Sequence, residues 1–264
     1  MRAVTAAVTS LLIAAVVFAG AVTTMAVARP EWLPPEVRDL VVRDRAPDLT
    51  GYQPPQNPED YHHRVFEWTY AGKQWAIVVD IPKASYDYFQ QLPRPERITQ
   101  GPDGRYWEYA YEKFVTREED DQSVEVIAST LLEMGRREGW TDDRILSFTL
   151  AFVQGLPYTS DSVTTGYNEY PRYPLETLVD NGGDCEDTSI LYASLVIAMG
   201  YGAVLVSPPA HMAVGVLAKD DVPGDGYHYG GRWYLYAETT GDGFGIGEIP
   251  KEYAGLSAQV YELV

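Results

Sequence analysis

The sequence predicts an α+β fold: a buried, Cys-bearing helix packs on an antiparallel sheet, preceded by a β-rich extension and an N-terminal transmembrane helix. Three observations predict it. From Ile190 to Met199 only Ser194 is clearly polar, so the helix opening at Asp184 is expected to be buried on nearly all sides. Strand-like runs follow it at Ala203–Ser207, Met212–Ala218 and Arg232–Glu238. Well ahead of it, Val65–Ile81 alternates in character on either side of Ala71-Gly72-Lys73, the pattern of a hairpin.

Residues 1–30 form the first unit. Ala3 to Ala28 contain no Asp, Glu, Lys or Arg. As a helix they reach roughly 39 Å, enough for a hydrocarbon layer of about 30 Å. The alternative is a signal peptide cut after Ala26-Val27-Ala28. Its apolar region is normally about 7–15 residues, so the length favours a retained anchor. Arg29, Arg38, Arg43 and Arg45 follow the span, and a bare count of cations would hold the next domain inside. Long domains translocate largely regardless of charge, and an extracytoplasmic location is expected. Residues 31–60 form a stalk, because Pro34, Pro35, Pro47, Pro54, Pro55 and Pro58 favour extended backbone.

Residues 61–120 make the β-rich extension. In its hairpin Phe66, Trp68 and Tyr70 share one face, continued by Trp75, Ile77, Val79 and Ile81. A short helix is expected over Lys83–Leu92, closed by Pro93, and another strand over Tyr106–Val115. Residues 121–264 then change character. Val124, Ile127, Leu131 and Met134 form a helical stripe within Ser123–Glu138, and Gly139 stops it. Thr141 is placed to cap a helix running through Ile145, Phe148 and Phe152 to Gly155. A long loop from Leu156 to Tyr173 carries Tyr158, Tyr167, Tyr170 and Tyr173, rings that line recognition surfaces or simply pack. Gly200 ends the Cys-bearing helix, and the Gly-rich stretch Asp220–Gly231 joins two antiparallel neighbours. His62 and His63, placed with the proline-rich arm, and His228, placed in a Gly-rich turn, receive no role.

Composition excludes several functions. With 20 Lys and Arg against 38 Asp and Glu, the net charge of −18 repels phosphate backbones, so nucleic acid is not an expected partner. The lone Cys185 excludes an intrachain disulfide and a thiolate zinc cluster.

The chemistry concentrates late in the chain. Tyr173-Pro174-Leu175-Glu176-Thr177-Leu178 is followed by Gly182-Gly183-Asp184-Cys185-Glu186-Asp187, then by His211-Met212 and Tyr236-Ala237-Glu238-Thr239-Thr240. A thiol at a helix start, a histidine at one strand and a carboxylate ending the next can converge, because neighbouring strands lie about 4.8 Å apart. A free thiol is only about 3% ionised at pH 7, and a helix N-terminus and an imidazolium both raise that fraction. Glu186 and Asp187 oppose it: a carboxylate about 6 Å away costs about 2.8 kcal/mol at an effective dielectric near 20. These acids must therefore point away, pair with a cation or be offset by the histidine.

The order Cys, His, acid, with P-x-E-T-L before G-D-C-E-D, resembles the transglutaminase-like superfamily with its papain-like core. The strings look most like its bacterial transglutaminase-like cysteine peptidases, and the resemblance spans roughly Ile145 to Pro250. It implies Cys185 as nucleophile, His211 as base and Glu238 as the orienting acid, where Asp is usual; Met212 stands where Trp often follows the His. Some of these peptidases depend on calcium. Asp184 and Glu186 are the candidate calcium ligands, against the plainer reading that acids here satisfy helix N–H groups. The backbone N–H of Cys185 is a natural oxyanion donor, with the Gln154 amide a second candidate, although Gln154 also reads as a surface residue. No cofactor is otherwise required. The expected function is acyl transfer through a thioester, chiefly hydrolysis of a protein or peptide substrate outside the membrane. Cross-linking to an amine, or a non-catalytic binding or surface-assembly module, is the alternative.

Overall fold

The computed structural model describes residues 57–94, 96–101, 104–115, 122–160, 170–219 and 222–263, with side chains not described over 95–109. The proposed membrane segment and nearly all of the stalk lie outside these residues. Among the described residues no helix is long and apolar enough to cross a membrane.

A single 3-10 turn, Pro58–Asp60, leads into β1 (Tyr61–Tyr70) and β2 (Lys73–Pro82), joined through Ala71-Gly72. Both turn residues have positive φ, which suits Gly72 and the tight return. Phe66, Trp68, Ile77, Val79 and Ile81 are buried on one face, while Val65 and Val78, opposite each other, are exposed on the other. The period of two thus sorted this hairpin correctly. His62 and His63 belong to β1 rather than to an extended arm, and His63 Nδ1 lies 2.5 Å from Asp80 across the pair.

The short helix α1 (Lys83–Gln91) follows, then a second hairpin of β3 (Glu96–Gly101) and β4 (Gly104–Tyr109). The strand expected over Tyr106–Val115 ends at Tyr109. Its last residues turn instead into α2 (Glu112–Val115), because Phe114 and Val115 are drawn into the core and the Val115 carbonyl accepts from the Ser194 hydroxyl. Helices α3 (Ser123–Arg137) and α4 (Asp142–Gln154) match their predicted stripes. Thr141 does occupy the N-cap of α4, yet its hydroxyl makes no capping bond.

Two short segments escaped periodicity. Pro174–Asp180 forms α5, with proline in its first turn, and β9 (Gln259–Glu262) joins the main sheet at the C-terminal end. Between them run α6 (Cys185–Ala198), β5 (Ala203–Ser207), β6 (Ala213–Leu217), β7 (Gly226–Tyr229) and β8 (Arg232–Ala237). The sheet order is β7-β8-β6-β5-β9, with antiparallel pairing throughout. The expected neighbours β6 and β8 do pair, but the Gly-rich stretch between them contains the edge strand β7. His228 therefore sits on a strand, its ring packed on Trp233.

Helix α6 lies at the centre, with Ile190–Val196 wholly or almost wholly buried. The first hairpin shares its core through an aromatic joint. Trp68 meets Phe148 and Phe152 of α4 at ring separations of 5.2 and 5.3 Å, and Trp75 meets Phe148 at 4.9 Å. Such rings carry large buried areas and prefer tilted contacts. Among the four clustered tyrosines, Tyr173 is core, Tyr170 packs under Arg94 and Tyr158 is exposed; Tyr167 lies outside the described residues. The Trp68→Ala variant is expected to lose about 3–5 kcal/mol of unfolding free energy. Urea denaturation followed by circular dichroism measures it, and a loss under about 1 kcal/mol would refute the joint.

Candidate active site

Asp184 is the N-cap of α6, and its Oδ1 accepts from the Glu186 N–H at 3.1 Å. Asp187 completes the box: its Oδ2 accepts from the Asp184 N–H at 3.2 Å. The two preceding glycines make this possible. A Cβ on Gly183 would meet Asp187 Oδ2 at 2.6 Å, and Gly182 has a φ of +151°. Asp187 is fully buried and faces a cation: its Oδ1 accepts from the Arg172 N–H at 2.7 Å, and its Oδ2 from the Arg172 guanidinium. Glu186 takes a different route, accepting from the Tyr111 hydroxyl at 2.5 Å. The acids beside Cys185 are thus held by partners that lie far from them in sequence.

Cys185, half-buried, opens the helix. The Met212 N–H favours the ionised form of its sulfur, so the thiol sits beside the His211-Met212 segment. A hydroxyl cluster fixes the other side. The Thr239 hydroxyl lies 3.0 Å from those of both Thr188 and Ser189, tying the end of β8 to the first turns of α6. Glu238 is thereby held close to the helix that carries the sulfur.

His211 precedes β6 and follows Ala210, whose left-handed φ of 59° turns the chain. Its own N–H donates to the Pro208 carbonyl at 3.2 Å, and its carbonyl accepts from the Ser207 hydroxyl at 3.1 Å. Its Nε2 lies 2.9 and 3.1 Å from the two oxygens of Glu238. Glu238 also accepts from the Tyr236 hydroxyl at 3.1 Å and from the Thr240 N–H and hydroxyl at 3.0 and 2.7 Å. Burial opposes its ionisation, but the hydrogen bond and charge of His211 and the two Thr240 donors outweigh burial and hold the carboxyl at about 2, below its ordinary 4.5. An ionised Glu238 only accepts, so Nε2 carries the proton, and Nδ1 is the accepting nitrogen whenever the ring is neutral.

The thiol behaves otherwise than its helix position suggests. Burial first, then the charge of Asp184 and of Glu186, push it up from 9.0 to about 12, against the N–H groups of Met212 and Cys185. The helix N-terminus does not by itself yield a thiolate here. Its favourable partial charge is outweighed by loss of water and by the acids of its own first turn.

Gln154 is buried, not a surface residue. Its amide nitrogen donates to the carbonyls of Glu238 at 2.8 Å and Phe244 at 3.0 Å, which engages both hydrogens. The expectation of Gln154 as an oxyanion donor is corrected on that ground; it anchors the backbone of Glu238 instead. Calcium also fits poorly. Among the described residues no group of three or more His, Cys, Asp or Glu side chains could hold a metal ion. Asp184 Oδ1 faces a helix N–H and Glu186 Oε1 faces Tyr111, whereas calcium takes about 6–8 oxygens.

No family model matches the sequence, and no curated protein matches it. Among solved structures the chain is similar to EGTA-treated LapG of Legionella pneumophila, at 16% identity and a TM-score of 0.37, over 58% of this chain and 83% of that one. Calcium-bound LapG gives 17% and 0.35, over 53% and 78%. A TGase gives 12% and 0.34, over 61% of this chain and 47% of the other.

Sequence reasoning missed Arg172, Tyr111, Tyr236, Thr240 and Tyr253, whose ring stacks on His211. Only Arg172 left a signal, in the demand that Asp187 find a cation. Asp187→Ala is expected to cost about 3–5 kcal/mol, since it removes the buried partner of the Arg172 guanidinium and leaves it the partly exposed Asp180 at 3.3 Å; an unfolding midpoint close to wild type would contradict this. Glu238 has a lowered carboxyl pKa, so its stabilising contribution is complete above pH 4.5 and is lost as pH falls towards 2. The stability gap between wild type and Glu238→Gln should therefore narrow across that window in urea titrations at stepped pH, and a constant gap would refute the assignment.

Proposed function

We propose that the protein is a thiol-dependent acyl-transfer enzyme, acting chiefly as a cysteine peptidase on a protein or peptide substrate. The observation that supports this reading is the meeting of three elements: Cys185 at the start of α6, the Met212 N–H beside its sulfur, and the adjacent His211 held through Nε2 by Glu238. In this reading Cys185 is the nucleophile, His211 the base and Glu238 the acid that sets the ring's tautomer.

The thiol near pKa 12 shapes the mechanism. A neutral thiol requires its proton to move as the S–C bond forms, from sulfur to His211 Nδ1. The imidazolium so formed is stabilised by the ionised Glu238. The Cys185 N–H supports the developing oxyanion. Collapse breaks the C–N bond, and Nδ1 returns the proton to the departing amine, leaving a thioester. Water then attacks, His211 takes its proton, and the acid is released as the thiol reforms. An amine in place of water would give a cross-linked product by the same route. The uncharged span of residues 3–28 supports an anchored enzyme with residues 31–60 as its stalk, and an extracytoplasmic domain rests on the translocation of long domains largely regardless of charge.

Incubation of the full-length chain with casein and dansylcadaverine, with EGTA or added calcium, tests the reading by mass spectrometry. Cleavage is expected, unchanged by EGTA. Cys185→Ala should abolish it, and His211→Ala and Glu238→Gln should slow it by on the order of 10²–10⁴-fold. Dansyl incorporation without cleavage would identify a cross-linking enzyme. Full activity in Cys185→Ala would sink thiol catalysis, and activity lost in EGTA but restored by calcium would establish a metal site.

A further inference from the structure

The turn after β8 carries an aromatic residue whose position the chemistry above leaves unused. From Lys251 to Ser257 every residue is exposed except Tyr253. It alone folds inward, and its ring lies parallel to that of His211, with centroids 4.5 Å apart and an interplanar angle of 1°. The turn is braced for this. The N–H groups of Tyr253 and Ala254 both donate to the carbonyl of buried Pro250, at 2.9 and 3.1 Å. Beyond it, the Leu256 carbonyl accepts from the Tyr227 hydroxyl at 3.2 Å, which fastens the turn to β7.

We propose that Tyr253 is a positioning residue for His211, fixing the plane of the imidazole by covering one of its faces. Glu238 fixes one edge of that ring through Nε2, but hydrogen bonds at a single edge leave the ring free to swing about them. A second constraint is needed for Nδ1 to keep one direction, and the parallel tyrosine face supplies it. The imidazole is left only 7% exposed, so Tyr253 also closes it to water from that side and leaves the Cys185 side for substrate. Burial, and then the nearby charge of Glu238, push the Tyr253 hydroxyl above its ordinary range. The Tyr236 hydroxyl donates to the same Glu238 carboxylate that holds the ring.

This proposal rests on the Cys–His reading, and its test separates the two. Cys185 is the only cysteine, so iodoacetamide labelling of the full-length chain reports on it alone. The labelling rate is measured from pH 6 to 10 in wild type, Tyr253→Phe, Tyr253→Leu and His211→Ala, beside nitrogen NMR of the His211 tautomer. Tyr253→Phe should keep the wild-type rate profile and a single Nε2–H tautomer, since the ring and not the hydroxyl does the positioning. Tyr253→Leu, of similar bulk but not planar, should label about tenfold more slowly near neutral pH and show mixed tautomers or a broadened ring signal. Wild-type labelling and tautomer in Tyr253→Leu would overturn the positioning role. An unchanged rate in His211→Ala would overturn the Cys–His reading instead, while the NMR comparison would still decide the role of Tyr253.

Discussion

Burial of α6 on every side is the constraint on which the rest depends. A helix with no solvent face must be surrounded, and helices α3, α4 and α5 with strands β5 and β6 surround it. Its side chains with polar atoms then need partners inside the core. Tyr192 donates to the Leu146 carbonyl of α4, Ser194 to that of Val115 in α2, and Thr188 and Ser189 meet Thr239. Each bond fixes one neighbouring element at a defined height along the helix. The first turn, where Cys185 stands, is the part left half-buried, and so the site forms there.

Electrostatics at that first turn separate two uses of carboxylates. Asp184 and Asp187 satisfy the helix start, with Arg172 matching the buried charge of Asp187. Burial, and then the proximity of Asp184 and Glu186, works against a resting thiolate. Glu238, by contrast, is surrounded by donors from His211, Tyr236 and Thr240, so it stays ionised and orients the imidazole. One carboxylate set builds the helix start and the other holds the imidazole. The result is a thiol held above its ordinary range by burial and by nearby carboxylates.

The two halves are also mechanically continuous. Rings from the first hairpin clamp α4, and α4 ends in Gln154, which holds the carbonyl of Glu238. The extension that lies outside the transglutaminase-like resemblance therefore packs on the same helix that supports the acid. Its role in the site is indirect, through the position of that helix.

Local pattern alone determined a good deal. The hairpin face, the stripes of α3 and α4, the Asp184 cap and the apolar run of α6 are period and capping signals confined to a few turns of chain, and each was legible. The meeting of His211 with Glu238 could be read as well, because two adjacent strand ends constrain one another. Short elements such as α5, β7 and β9 offered too few residues for periodicity and took shape from their neighbours. What only the tertiary structure decided was the company each charge keeps: Arg172 against Asp187, Tyr111 against Glu186, Gln154 beneath Glu238, Tyr253 over His211. These contacts join residues from different elements, and burial energies, rather than any local motif, choose them.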